Sequence, residues 1–182
     1  MKEVVIHARA GQGAITTASI LAQALFSEGK YAYAFPHFGA ARMGAPMNAF
    51  LRFDDKPIRV RCRIYEPDYV IVVDPTLLKT TDVMKGLKEG GIVICDEREG
   101  IEYPKPQGNQ KVLIVPASKI AMEVMKRALG NTALLGAFVG ATGVVKFTSL
   151  EEAIKKRFSE KVAKANIECA RRGYEFVTGR EV

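Results

Sequence analysis

The chain has 182 residues, 48% of them hydrophobic and 26% charged, and a formal net charge of +7. That length suits one domain, 1–182, with a full core, and no apolar run is long enough to span a bilayer. Cys62, Cys95 and Cys169 are far apart and cannot supply the four thiolates of an iron–sulfur cluster, and two histidines, His7 and His37, argue against an all-protein zinc site.

The excess charge suits nucleic acid, an acidic partner subunit or a phosphorylated ligand. Basic residues are spread along the chain, with one local cluster at Arg59, Arg61 and Arg63, and no nucleic-acid-binding signature accompanies them. Met1 leads directly into a strand pattern and not into a signal peptide, so a cytoplasmic protein is expected.

Residues 2–8 read as a short apolar strand, followed at once by Arg9-Ala10-Gly11-Gln12-Gly13-Ala14 and then by a helix over 15–26. Ile15, Ile20, Leu21, Leu25 and Phe26 fall mostly on one side of that helix. Glycines at a strand-to-helix turn let the backbone approach a neighbour closely. The helix start favours an anion there, a phosphate or a carboxylate, with Arg9 beside it. The alternative is that the glycines serve only a tight turn and the packing of helix on sheet.

Residues 30–35 read as a second strand. The loop after it, 36–46, carries two prolines, two glycines, His37 and Arg42, a composition suited to a binding loop. Residues 47–53 alternate and read as a strand, with 58–63 as its return partner across a turn, giving an antiparallel hairpin. The apolar run 69–73 ending in Asp74 suggests a buried parallel strand. Short helical segments follow over 75–89, with Thr81 or Asp82 as a cap.

Residues 91–95 and 112–115 read as further strands, with a polar surface loop between them. Residues 116–129 give an amphipathic helix. The run 131–143, apolar with three glycines, gives a buried helix closely approached by its neighbours. Ser149 and Glu152 fit a capping box opening a helix, and a last helix runs from about 160 to 177. Strands alternating with helices predict an α/β fold with a mainly parallel central sheet, flanking helices and one antiparallel hairpin.

Gly11-Gln12-Gly13 supplies part of a dinucleotide fingerprint. However, Thr16 stands at its third position, and no acid closes the second strand, so a small NAD-dependent oxidoreductase is disfavoured. No P-loop is present. His37 and Arg42 share one loop, but His37 is read as packing locally. His7 is read as a satisfied core residue and Cys95 as buried, so no catalytic group is assigned. Arg9 and Arg42, both at strand ends, would form an anion clamp if they meet; otherwise they face acids of a partner subunit.

The motifs together resemble the gamma subunit of 2-oxoacid:ferredoxin oxidoreductases. Arg9-Ala10-Gly11-Gln12-Gly13 is similar to the family's G-R-x-G-Q-G, with His7-Ala8 in place of the first glycine position. The stretch from Phe38-Gly39-Ala40-Ala41-Arg42 to Met43-Gly44-Ala45-Pro46 resembles F-G-A-E-R-x-G-A-P, in the form typical of pyruvate oxidoreductases, with Ala41 where the family has Glu. Pro67-Asp68 before Asp74, Val115-Pro116-Ala117 before Ile120-Ala121, and Asn131-Thr132 before Leu135-Gly136-Ala137 match in order. So do Asn166 and the run Arg171-Arg172-Gly173-Tyr174-Glu175.

The resemblance covers nearly the whole chain. It implies a subunit of a pyruvate:ferredoxin oxidoreductase (pyruvate synthase) complex. Such a complex oxidatively decarboxylates pyruvate with coenzyme A to acetyl-CoA and carbon dioxide, and reduces ferredoxin. Thiamine diphosphate and its Mg ion then lie between the alpha and beta subunits, and the [4Fe-4S] clusters in the delta and beta subunits. This chain would dock on them as an α/β scaffold, inactive alone. Within such a complex, the basic, glycine-rich surface suited to phosphates makes Arg9, Gly11, Gln12, Gly13 and Arg42 the expected subunit contact, bordering the coenzyme A entrance. A free-standing nucleotide- or coenzyme A-binding module, and a complex using another 2-oxoacid such as 2-oxoisovalerate, are the alternatives.

Overall fold

The computed structural model describes residues 1–38 and 43–179. Its strands are β1 (Lys2–Arg9), β2 (Tyr31–Phe38), β3 (Pro46–Asp54), β4 (Tyr69–Val72), β5 (Ile92–Asp96) and β6 (Lys111–Val115). Its helices are α1 (Ala14–Ser27), α2 (Ala117–Met125), α3 (Asn131–Thr142), α4 (Phe147–Arg157) and α5 (Glu160–Thr178). The strands form one sheet in the order β2-β3-β1-β4-β5-β6. β1, β4, β5 and β6 pair in parallel, while β3 runs antiparallel to both β1 and β2. The α/β architecture with a mostly parallel sheet is the one the alternation of elements predicted.

The antiparallel hairpin lies elsewhere than expected. It joins β2 to β3, while residues 58–63 form no strand and cross one sheet face as irregular chain. Period-2 alternation there was real, but Arg59, Arg61 and Arg63 all face solvent, so no apolar stripe exists to hold a strand on the core. Instead β2 extends to Phe38, three residues further than its aromatic run suggested.

The two faces of the sheet are covered differently. Val4, Ile6 and Ala8 of β1, with Ala49, Leu51, Ile71 and Ile94, pack under residues from all five helices. On the other face Val5, Phe50, Val70, Val72, Val93 and Cys95 meet Ile64, Val83 and Leu87, which come from irregular segments. Helix α1 lies close on its sheet face because small residues point inward. Ala14, Thr17, Ala18, Leu21, Ala24 and Leu25 are buried, whereas Ile15 and Phe26, expected inside, are exposed.

α3 is buried all round over Asn131–Val139, as its apolar composition predicted. The reason is its crossing with α5. A Cβ on Gly136 would run into the backbone carbonyl of Ala170, and one on Gly173 into that of Ala133. Glycine on each helix therefore lets two backbones touch. Thr132 Oγ1 donates to Asn166 Oδ1 at 3.1 Å across the same seam.

Two local expectations need correcting. Ser149 and Glu152 form no capping box. Glu28, just past the end of α1, accepts from the backbone N–H of Lys146 at 2.7 Å and from Ser149 Oγ at 2.6 Å, and Glu152 pairs with Lys155 instead. The only helical element described over 75–89 is one short 3₁₀ segment, Pro75–Lys79, capped by Asp74, while Asp82, expected as a cap, does accept from Met84 N at 3.0 Å.

Candidate functional site

The carboxyl ends of the parallel strands and the start of β3 lie along one edge of the sheet, where α/β folds place their ligands. Two of the sequence motifs meet there. Ala10 N donates to Ala45 O at 2.8 Å and Gly44 N to Ala10 O at 3.1 Å. These bonds carry the β1–β3 pairing past its end and join the glycine loop to the second loop. Arg42, together with residues 39–41, lies outside the described residues.

The glycine loop is locked from within. Gln12 N donates back to Arg9 O at 3.0 Å, and Gln12 Oε1 accepts from Arg9 N at 2.7 Å. Gly13 opens α1 with φ +79, and a Cβ on it would stand 2.9 Å from Asn131 Nδ2. Both the positive φ and the close approach require glycine. Asn131 in turn donates to Thr17 Oγ1 at 3.3 Å, which ties the start of α3 to the first turn of α1. Gly13, at the N-cap, brings no side chain to the amides opening α1.

Arg9 and Gln12 converge on Asp74, which is almost fully buried. Gln12 Nε2 donates to Asp74 Oδ2 at 2.8 Å, and Arg9 Nε lies 3.3 Å from the same oxygen. Arg98, beyond β5, reaches Oδ1 at 3.3 Å. Thr76 donates to Oδ1 from its backbone at 3.0 Å and from its hydroxyl at 2.7 Å. Arg9 also donates to Thr76 Oγ1 at 3.1 Å and to Gly44 O at 3.2 Å. Burial pushes the Asp74 carboxyl up, but the bonds from Thr76 and Gln12 and the charge of Arg98 outweigh it and hold the pKa below the ordinary value.

Of the predicted site residues, Arg9, Gly11, Gln12 and Gly13 thus form one unit. Arg9 is engaged by an acid of its own chain. In the sequence Asp74 closes an apolar strand and belongs to one of the family motifs, while Arg98 and Thr76 belong to none. An acid closing an apolar strand, with arginines after two neighbouring strands, was the available signal.

Asp96, at the end of β5, was also passed over as a structural group. It accepts from the Ser118 amide at 2.8 Å and makes a short bond with the Ser118 hydroxyl, so it caps α2 from a different element. Burial raises its pKa, against the pull of those bonds.

The histidines lie on the other sheet face. His7, Asn48 and His37 are paired across β1, β3 and β2 in one row. Burial pushes His7 down to about 4 despite its bond with Asn48, so it is neutral near pH 7. His37 stacks on Phe50 with ring centroids 6.2 Å apart. Cys95 is buried and pushed up to about 12 by that burial and by Asp96, which disfavours a thiolate nucleophile. Among the described residues no group of three or more His, Cys, Asp or Glu side chains could hold a metal ion. No helix among them is long and apolar enough to cross a membrane.

Residues 3–176 match the family Pyruvate ferredoxin/flavodoxin oxidoreductase. The chain is 51% identical to the pyruvate/ketoisovalerate oxidoreductases common subunit gamma of Thermococcus litoralis, with 96% of each covered. It is 46% identical to pyruvate synthase subunit PorC of Methanosarcina barkeri, with 100% of each covered. Pyruvate oxidoreductase subunit PORC of Thermotoga maritima superposes with a TM-score of 0.83 at 41% identity, over 96% of this chain and 95% of that one. On a match that runs almost from end to end, the chain belongs to the pyruvate ferredoxin/flavodoxin oxidoreductase family.

Proposed function

We propose that the chain is the gamma subunit of a cytoplasmic pyruvate:ferredoxin oxidoreductase complex. The observation that carries this reading is full-length similarity to gamma and PorC subunits, together with the folding of the family's first motif into one locked edge of the sheet. The complex couples oxidative decarboxylation of pyruvate, with coenzyme A, to ferredoxin reduction. Alpha, beta and delta subunits would complete it. Thiamine diphosphate with Mg, and the [4Fe-4S] clusters, would be held by those subunits and supply carbanion stabilisation and electron transfer.

In this reading Arg9, Gly11, Gln12, Gly13 and Arg42 line a subunit contact at the coenzyme A entrance. Arg9 and Arg98 flank a single carboxylate, Asp74. The amides opening α1, which the N-cap Gly13 leaves without a side-chain cap, would attract phosphate. The rigid frame argues for positioning and not for chemistry at this loop. In the intact complex, Arg42→Ala is expected to raise KM for coenzyme A more than KM for pyruvate. Unchanged coenzyme A kinetics would remove the ligand role and leave the docking role.

A second reading concerns the substrate. The Thermococcus litoralis and Pyrococcus furiosus relatives are named as subunits common to pyruvate and ketoisovalerate oxidoreductases. This chain would then serve two complexes, one acting on 2-oxoisovalerate. Two assemblies of different composition, both containing this chain, would establish it; one assembly active on pyruvate alone would refute it.

A further inference from the structure

We infer that the irregular strap over residues 55–68 docks an acidic segment of a partner subunit, with an apolar or aromatic side chain of that segment seated in the groove beside it. The inference rests on the subunit reading above and concerns a different surface, on the sheet face away from the helices.

The strap is built to be presented. Arg52 of β3 is 1% exposed, and its guanidinium is held by Glu3 Oε1 at 2.8 Å on one side. On the other side it donates to Cys62 O at 2.7 Å and Arg63 O at 3.1 Å. Arg52 thus clamps two consecutive strap carbonyls to the sheet, and Ile64 is buried beneath them. A buried arginine with every guanidinium nitrogen bonded is a strong tether, since breaking either side leaves a charge short of partners.

What the tether holds outward is strongly basic. Lys56, Arg59, Arg61 and Arg63 occur within eight residues with no acid among them. Arg61 lies over the Tyr33 ring, 4.2 Å from its centroid, and donates to Ile58 O at 2.8 Å. Arg59 and Arg63 are exposed and have no ionic partner among the described residues. Asp68, at the end of the strap, is already matched by Lys2 at 2.8 Å and Lys88 at 3.1 Å. Four cations fixed on one strap repel one another, and an acidic partner relieves that repulsion.

Beside the strap runs a groove of about 660 Å³. His7, His37, Asn48 and Phe50 line it on the sheet side and Ile64 and Tyr65 on the strap side, with Arg63 and Lys85 balanced by Glu66 and Asp82. Tyr65 is 71% exposed at its mouth and Val60 is 41% exposed nearby. An aromatic, partly apolar slot with a charged rim has the layout of an interface anchor site, where one buried side chain carries most of the binding energy. The groove's own rim is balanced, so it is Arg59 and Arg63 on the strap beside it that select an acidic occupant, while the slot selects an apolar anchor within it.

Cys62 gives a native probe, because it sits in the middle of the strap and is exposed while Cys95 and Cys169 are buried. The experiment measures alkylation of Cys62 by iodoacetamide, read by mass spectrometry, in the isolated full chain and in the complex purified from its own cells. Docking predicts that alkylation in the complex is at least roughly tenfold slower, because access sets the rate once the thiol is the same. It also predicts that Arg59→Glu with Arg63→Glu raises the dissociation constant of the chain from the complex about tenfold or more, and that Arg59→Lys with Arg63→Lys does not. Equal alkylation in both states, or an unaltered dissociation constant for the double Glu variant, overturns the inference. If the chain co-purifies with no partner, it is the subunit reading itself that fails.

Discussion

Gln12 Nε2 donates to Asp74 Oδ2 at 2.8 Å, and this bond fastens the glycine loop to the end of the neighbouring parallel strand. Through it, the family's first motif and the strand that follows its third become one object. Asp74→Ala would leave Arg9 and Arg98 facing each other without their carboxylate. With both arginines partly solvated, the expected loss is about 2 kcal/mol, measured by denaturant unfolding of the isolated chain. The depressed folded-state pKa fixes the sign with pH. The contribution is present above the unfolded-state value of 3.8 and disappears as pH falls through the lower folded-state value. Wild type and Asp74→Ala should therefore converge in stability only in strong acid.

His7 acts in a different pH window. The unfolded chain protonates it near 6.5, while the folded chain resists protonation until about 4. Between those values the unfolded state binds more protons, so stability falls as pH drops, by at most about 3 kcal/mol. Replacing His7 by Gln keeps a polar partner for Asn48 and removes the titration. Thermal unfolding of His7→Gln should be flatter with pH between 6.5 and 4 than that of the wild type. A parallel decline in both proteins would show that His7 is not the group responsible.

The α3–α5 seam predicts a contrast between two glycines on one helix. A Cβ at position 136 meets the Ala170 backbone, whereas one at 140 meets the side-chain methyls of Thr178 and Val177 at 3.0 Å, which can move. Gly136→Ala should cost about 3 kcal/mol or more, because two helices must part, and Gly140→Ala should cost roughly 1 kcal/mol. Unfolding midpoints of the two variants decide it, and equal losses would contradict the backbone contact.

Helix α4 offers a test of capping between distant segments. Glu28 holds the Lys146 amide and the Ser149 hydroxyl from 118 and 121 residues away in sequence. Glu28→Ala should lower stability by about 1 kcal/mol, and Glu152→Ala by much less, since Glu152 makes only an exposed pair with Lys155. The reverse ranking would restore the local capping box.

These cases show what could be read in the sequence. The alternation of apolar strands and helices fixed the α/β class, because each element carries its own periodicity. The glycines of α3 announced a close approach, although their contact on α5 needed the fold. The 58–63 segment misled because alternation of Arg with Val and Cys imitates a strand without supplying an apolar face. Ile15 and Phe26 misled because size does not decide which side of a helix is inward when alanines fit the sheet more closely. At the site, Arg9, Gln12 and the glycines were legible from the motif. Asp74, Arg98 and Thr76 were not, because their partnership spans three strands and depends on which strands are neighbours.

The most direct measurement is the native mass and subunit composition of the complex purified through this chain from its own cells, together with its pyruvate- and coenzyme A-dependent reduction of ferredoxin. The account predicts a brown assembly with larger partner subunits, bound thiamine diphosphate and that activity. A colourless lone chain, or a homo-oligomer without partners that binds coenzyme A by itself, would contradict it.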